Sequence, residues 1–441
     1  MGTKSADARV ARAAGSRGTR GRRSGAAQQS AAPVLRGPQR ERHEPDYVIL
    51  FSIVALAAVG ILMVYSSVSI GTIASDPFAV IGPQAFWAVA GVLAMLVMMR
   101  VDYRYLRLVS VPAFLGAVAL LVLVLLPEIG PFKPQVINNS ARWLEIGPLP
   151  ALHPAEFAKL GLVIYLAHWL TRKGTRAGSL LHGLVPFLVI TGPVLLLVLL
   201  EPDLGTTGVL ALTALVMFFA AGGSLLQLAA LVPVGLAAVA YRVSTTDYQS
   251  ERVAIFLNPW ADPDGLGYQT TRALMAMGQG GPFGIGLGQG HQTGGLHLPQ
   301  AQNDFVFALL AQELGFIGGL GVILLYLLFA YRGLRVAMAA PDTFGALLAT
   351  GITGWLTLQA FINIAVVLVL IPVTGITLPF VSAGGSSLVV SFAAIGILLS
   401  VSRETLPRGS WKDADSDRRR RNWRPRLSRA GRGTVAARAG A

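Results

Sequence analysis

Between Tyr47 and Val401 the sequence breaks into apolar blocks of about 20 residues, the length a helix needs to cross a bilayer. Nothing else constrains this chain so strongly. Hydrophobic residues make up 53% of it and charged residues 13%, about half the usual share for a soluble domain. The blocks predict ten transmembrane helices in an all-α polytopic membrane protein. Eight cover about 47–65, 83–99, 108–126, 157–170, 180–200, 225–240, 304–331 and 344–370. A sixth in chain order returns through Phe219, and the last runs from about 386 to 401. Three domains follow: a basic tail at 1–46, the membrane domain at 47–402 and a second basic tail at 403–441.

The charges orient these spans. Residues 1–46 hold ten basic and four acidic residues, and residues 403–441 hold twelve and four. The net charge of +14 therefore lies wholly in the tails, and 47–402 is balanced at fourteen of each sign. Both tails are rich in Arg, Gly, Ala and Ser, a composition expected to stay disordered and to bind anionic lipids beside a membrane. No nucleic-acid partner is expected. Arg100, Arg104 and Arg107, then Arg172, Lys173 and Arg176, then Arg332 and Arg335 share one side with the tails. The positive-inside rule makes that side cytoplasmic. A large extracytoplasmic loop, 241–303, then lies between the seventh and eighth spans. The first 46 residues carry no apolar h-region, so no cleavable signal is expected. No Cys is present, which excludes disulfides and Cys-based metal sites.

Chemistry-bearing residues collect in the outward loops. Asn303-Asp304 opens the eighth span, where Asp304 reads either as a helix cap or as a general base held at a helix mouth. Arg142-Trp143 pairs a fork-shaped cation with an aromatic plate, suiting a phosphate and a sugar face or simply the membrane interface. Glu156 and Lys159 share a helix face as an ion pair, beside His153. Glu313, roughly 13 Å past Asp304 on a straight helix, must face a partner or a polar cavity. The Gly run at 278–290 reads as re-entrant backbone or as flexible loop. His291 and His297 lack metal-ligand spacing, and no metal site is expected.

Seven segments in order give these residues a family resemblance. They are MVYSSVS (63–69), SARWLEIGP (140–148), HPAEFAKL (153–160), EPDLGTT (201–207), NPWADPDGLGYQ (258–269), LPQAQNDFVFALLAQELGFIGG (298–319) and PVTGITLPFVSAGGSS (372–387). Together they resemble the SEDS family (shape, elongation, division, sporulation) of peptidoglycan polymerases over about residues 46–403. MVYSSVS, EPDLGTT and the run at 359–375 look more like its division branch than its elongation branch. The chain departs from the family pattern at Gln300, Gln302, Asn303 and Gln312, which stand for Glu, His, Thr and Glu, and at Ala383, which stands for Tyr.

The resemblance implies a glycosyltransferase of a bacterial inner membrane that joins lipid II units outside the membrane and releases polyprenyl diphosphate. It implies Asp304 as base, with Arg142, Arg252 and Arg272 as diphosphate contacts and Trp143, Glu156, Lys159 and Glu313 as further substrate-binding candidates. A divalent cation, Mg or Mn, could share the diphosphate charge; no cofactor is otherwise expected. The implied partners are a class B penicillin-binding protein, a transpeptidase, and other division proteins. A lipid-linked-precursor flippase and a non-enzymatic division scaffold are the alternative readings.

Overall fold

The computed structural model describes residues 43–69, 77–137, 140–147, 149–290 and 302–404. Nearly all of both tails falls outside these residues, as do His291, His297 and Gln300. Helix α1, Tyr47–Ser69, starts where Asp46 Oδ1 accepts the N–H groups of Val48 and Ile49, at 3.0 and 3.3 Å. These are orphan donors of a first helical turn. Helices α2 (Pro77–Arg100), α3 (Leu106–Leu125) and α4 (Pro154–Lys173) follow, the last with Pro at its first position. Helix α5, Val185–Leu200, turns within three residues into α6, Leu204–Ala220, which Asp203 caps by accepting the Thr206 N–H at 2.9 Å. The remaining helices are α7 (Leu225–Ser244), α8 (Asp247–Leu257), α9 (Tyr268–Gly280), α10 (Val306–Ala339), α11 (Thr343–Val367) and α12 (Gly385–Ser402).

Seven helices among the described residues, α1, α3, α5, α7, α10, α11 and α12, are long and apolar enough to cross a membrane. Two apolar stretches are shorter, Gln84–Arg100 within α2 and Leu204–Ala220. Helix α4 has 20 residues but carries Glu156, Lys159, Arg172 and Lys173. The chain is thus a polytopic helical membrane protein. Its buried centre is formed by α11, α12 and α4, with Trp355, Phe344, Leu398 and Leu166 fully enclosed. Where α12 meets α2 the helices touch through glycines: a Cβ on Gly396 would lie 2.4 Å from the Met95 carbonyl oxygen.

Two segments between the apolar helices hold more structure than loops. A three-stranded antiparallel sheet forms in the order β1 (Phe132–Ile137), β2 (Ser140–Ile146) and β3 (Leu149–Leu152). The all-α expectation is corrected to this extent: the SARWLEI stretch pairs Trp143 with Gln135 and Glu145 with Lys133 instead of running as loop. The long loop at 241–303 contains α8 and α9.

The eighth predicted span is also corrected. It begins at Val306 rather than Asp304, and it breaks at Gly315, whose φ and ψ are 70° and −170°. The Gly run docks into the break. Ile285 and Gly286 donate to the carbonyls of Gln312 and Glu313, both at 3.1 Å, while Phe316 and Ile317 donate to Gly281 and Pro282 at 2.9 and 3.2 Å. The backbone groups that the break frees are thereby satisfied from a neighbouring segment, as a membrane environment requires. Of the two readings of this run, the one with ordered backbone is the structure's.

Candidate active site

A cavity of about 580 Å³ opens among β2, the starts of α4 and α6, α8, the turn before α10 and the segment between α11 and α12. Trp143, His153, Glu156, Asp203, Tyr248 and Asp304 are among its walls, together with Arg142 and Arg252. Each reaches it by a different route.

Arg142 leaves β2 with its guanidinium anchored to backbone. Nε donates to the Glu201 carbonyl at 3.1 Å and Nη2 to the Pro202 carbonyl at 2.5 Å. The EPD turn between α5 and α6 therefore aims it. Arg252 leaves α8; Nη1 donates to the Val373 carbonyl at 2.8 Å, Nη2 donates to the Tyr248 hydroxyl, and the guanidinium lies 4.4 Å from the centre of the Tyr248 ring.

Asp304 stands in the turn before α10. Its main chain is held from two sides: Asn363 Nδ2 donates to the Asp304 carbonyl at 2.8 Å and to the Ile376 carbonyl at 2.6 Å. Next to it Ser382 Oγ donates to the Asn303 carbonyl at 2.6 Å, and the Ala383 N–H to the Gln302 carbonyl at 2.7 Å. The cap reading of Asp304 is overturned, because Phe305 is the N-cap residue of α10 and no side chain caps that helix. Its carboxylate is left for the cavity.

Gly375, at φ 74°, is where the three groups converge. A Cβ built there would stand 3.6 Å from Asp304 Oδ2 and 4.0 Å from Nη1 of both Arg142 and Arg252. One carboxylate and two guanidiniums thus face one small volume kept open by a residue without a side chain. Burial raises the Asp304 pKa, and Arg252 is the larger of the two cations that pull it back. Gly384, Gly385 and Ser387 line the same cavity. They belong to the start of α12, which has no side-chain cap, so its positive end points at the same space.

Other sequence-stated candidates fall in different places. Trp143 lines the cavity and meets His153 edge-on at 5.1 Å. Glu156 lines it too, while Lys159 lies behind, fully buried, with Nζ 2.8 Å from Glu156 Oε1 and 2.7 Å from Gln359 Oε1. Arg272 does not reach the cavity. It lies over the Tyr268 ring at 4.9 Å, 3.9 Å from Asp264, because α9 points it toward the preceding turn. Glu313 is also elsewhere: it ends the short helical segment before the break and accepts from Ser66 Oγ at 2.5 Å. Two residues that pattern reading of single residues passed over are Asn363 and Gly375. Asn363 serves the site through its side-chain amide and Gly375 through its lack of a side chain, both far from β2 in sequence, and the run at 359–375 marked their neighbourhood without assigning either a role.

Glu201 is a separate oddity. Its carboxylate is buried, neither oxygen has a hydrogen-bond partner, and burial pushes its pKa up to about 9. At neutral pH it is therefore a neutral acid, and its fold contribution is the carbonyl that holds Arg142. The folded protein keeps this proton between the ordinary glutamate pKa and about 9 while the unfolded chain releases it, so the group costs stability progressively as pH rises through that window. Glu201→Gln is expected to gain in Tm over the parent from pH 5 to pH 9 in detergent, with the gap widening; a constant gap would contradict the buried neutral acid.

Known proteins resemble this chain over most of its length. Residues 47–406 match the model of the cell cycle protein family of FtsW, RodA and SpoVE. The chain is similar to the stage V sporulation protein E of Bacillus subtilis, 40% identical over 365 residues that cover 82% of this chain and 98% of that protein. It is similar to the probable peptidoglycan glycosyltransferase FtsW of Trichlorobacter lovleyi, 40% identical over 371 residues, 84% of this chain and 96% of that one. Among solved structures it resembles a chain from a peptidoglycan synthase complex that coordinates polymerization and crosslinking. There the TM-score is 0.66 at 32% identity, covering 82% of this chain and 98% of that one.

Proposed function

We propose, from the premise that the chain belongs to the FtsW, RodA and SpoVE family of cell cycle proteins, that it is a peptidoglycan glycosyltransferase. It polymerises lipid II into glycan strands at the outer face of the bacterial cytoplasmic membrane, in septal synthesis. The observation that carries the reading is the convergence of Asp304, Arg142 and Arg252 around Gly375.

The chemistry needs such a set. A GlcNAc 4-hydroxyl attacks the anomeric carbon of a sugar joined through diphosphate to a polyprenyl lipid. The new bond runs from that oxygen to C1, the C1–phosphate oxygen bond breaks with inversion, and its electron pair leaves on the diphosphate. Asp304 takes the hydroxyl proton, since a neutral hydroxyl is a poor nucleophile. Arg142 and Arg252 hold the charge that grows on the leaving group, and both are pre-aimed by backbone carbonyls, so little reorganisation is needed at the moment of transfer. Trp143 offers a flat apolar face for a sugar ring. Among the described residues no three His, Asp or Glu side chains are grouped to hold a metal. The two guanidiniums and the α12 N-terminus supply positive charge to the departing diphosphate.

The ten helices α1–α7 and α10–α12 make an even number of crossings, which returns both tails to one face. With the basic loops cytoplasmic, the cavity opens outside, the lipid tail stays in the bilayer and the head group reaches Asp304. A cysteine placed at Arg176 should then escape an impermeant maleimide in intact cells; its labelling would overturn the orientation. A class B penicillin-binding protein is the partner proposed, supported by the likeness to a synthase complex that couples polymerization to crosslinking.

The test is purified full-length protein with lipid II, read by gel for glycan strands. A flippase or a scaffold would make none. The same assay has a pH arm. Asp304 must be deprotonated to act, so the rate falls as pH falls through its pKa. Arg252 lowers that pKa, and Arg252→Gln is expected to move the acid limb of kcat/KM to higher pH. An unmoved limb would separate Arg252 from the base.

A further inference from the structure

On the opposite side of the bundle, at the cytoplasmic ends of α3 and α4, a second cavity of about 510 Å³ is lined by Arg107, His168, Arg172, Leu108, Val111 and Phe344. We infer that it binds the phosphodiester headgroup of an anionic phospholipid from the inner leaflet, with the acyl chains lying along Leu108 and Val111. The proposal is independent of the glycosyltransferase reading.

Three observations carry it. The lining is basic. Arg107 comes from the first turn of α3, while His168 and Arg172, one turn apart, come from the end of α4. Next, the positive charge is incompletely matched. Arg107 Nη2 lies 3.1 Å from Asp342 Oδ1, but that carboxylate also faces Arg104 Nε at 3.5 Å and the Tyr103 hydroxyl at 3.0 Å. Arg107 Nε is buried without a hydrogen-bond acceptor, and Arg172 has no acidic partner among the described residues. Finally, the rest of the lining suits a lipid and not a free ion. Leu108 is 77% exposed and Val111 47%, on the outer surface of a membrane helix, where acyl chains are the solvent. Phe344 lines the cavity as well, and the Arg107 guanidinium lies over its ring, 4.7 Å from the centre. Guanidiniums bind phosphate oxygens through paired N–H groups, and basic pockets between membrane helices on this side suit anionic headgroups.

The test uses the full chain in a neutral detergent, titrated with phosphatidylglycerol and read by native mass spectrometry. Parent, Arg172→Gln, Arg107→Gln and the double variant are compared with Arg176→Gln, which removes the same charge from a neighbouring exposed site outside the cavity. Each cavity substitution should weaken binding about five-fold and the pair about 25-fold, from roughly one increment of basic attraction per residue. Arg176→Gln should change it less than two-fold by the same reasoning, since it does not line the pocket. Should Arg107→Gln unfold through loss of its Asp342 pair, Arg172→Gln with His168→Gln replaces the double variant, because neither residue is ion-paired within the described residues. Phosphatidylcholine is expected not to compete, nor inorganic phosphate at millimolar levels. Equal losses in Arg172→Gln and Arg176→Gln would reduce the effect to general charge, and displacement by inorganic phosphate would make the ligand a soluble anion; either result overturns the proposal.

Discussion

Asp304→Asn is expected to fold and insert as the parent does and to lose about 100- to 10,000-fold of its polymerisation rate, the usual worth of a general base. The two halves of this expectation have separate grounds. Folding should survive because the Asp304 side chain holds no N–H of α10; the residue is kept in place by its main-chain carbonyl, which Asn363 grips. An amide of the same shape preserves that grip. The rate should fall because the amide has no basic oxygen to take the hydroxyl proton, while the two guanidiniums proposed as diphosphate contacts, Arg142 and Arg252, remain in place. Lipid II affinity should accordingly change far less than turnover. Asp304→Glu keeps the charge but displaces it by a methylene in a cavity already crowded by two guanidiniums, and misplacement of that order is costly. Gln302→His serves as a control for disturbance of the turn itself, since Gln302 contributes its carbonyl to Ala383. Glycan synthesis by Asp304→Asn near the parental rate would remove the base assignment and leave the cavity as a binding site only.

Gly315→Ala is expected to cost more than about 3 kcal/mol, well beyond the ~1 kcal/mol typical of a point substitution, and to show as a collapse of yield and Tm in detergent. Two penalties coincide there. The backbone at φ 70° and ψ −170° lies in a region essentially reserved for glycine. A Cβ would also stand 2.3 Å from the Gly284 nitrogen, inside the contact distance of any carbon and nitrogen. The partner strand of chain is equally tight, for a Cβ on Gly284 would lie 2.0 Å from the Glu313 carbonyl oxygen, at φ 82°. Neither clash can relax onto a flexible side chain, because both meet backbone. Gly321, six residues further along α10, has open space at its Cβ, and Gly321→Ala should be neutral or slightly stabilising. A Gly315→Ala protein with parental Tm would mean that the break is not a fixed part of the fold.

The effects expected at Asp304 and Gly315 divide along what a one-dimensional reading can reach. Twenty-residue apolar blocks were sufficient to assign a polytopic helical membrane protein, because a backbone in hydrocarbon must satisfy its own hydrogen bonds and a helix does so locally. Local rules also placed Asp304 at a helix mouth and paired Glu156 with Lys159, three residues apart on one face. They did not foresee the small sheet that carries Arg142, nor the break at Gly315. A run of Phe, Leu, Ile and Gly scores as continuous helix unless the competing chain segment is known, and here that segment lies some thirty residues upstream.

Which charges meet was likewise beyond local reach. Arg272 and Arg252 are equivalent in sequence, both basic residues in one interhelical stretch, yet α8 delivers Arg252 to Asp304 while α9 turns Arg272 toward Asp264. Arg142, Arg252, Asp304 and Gly375 span more than 230 positions, and they meet because EPD carbonyls, the Val373 carbonyl and Asn363 each fix one of them. Residue type and local spacing determine what a group can do. Only long-range backbone packing, which places acceptors from distant segments around each side chain, decides which of them act on the same atom.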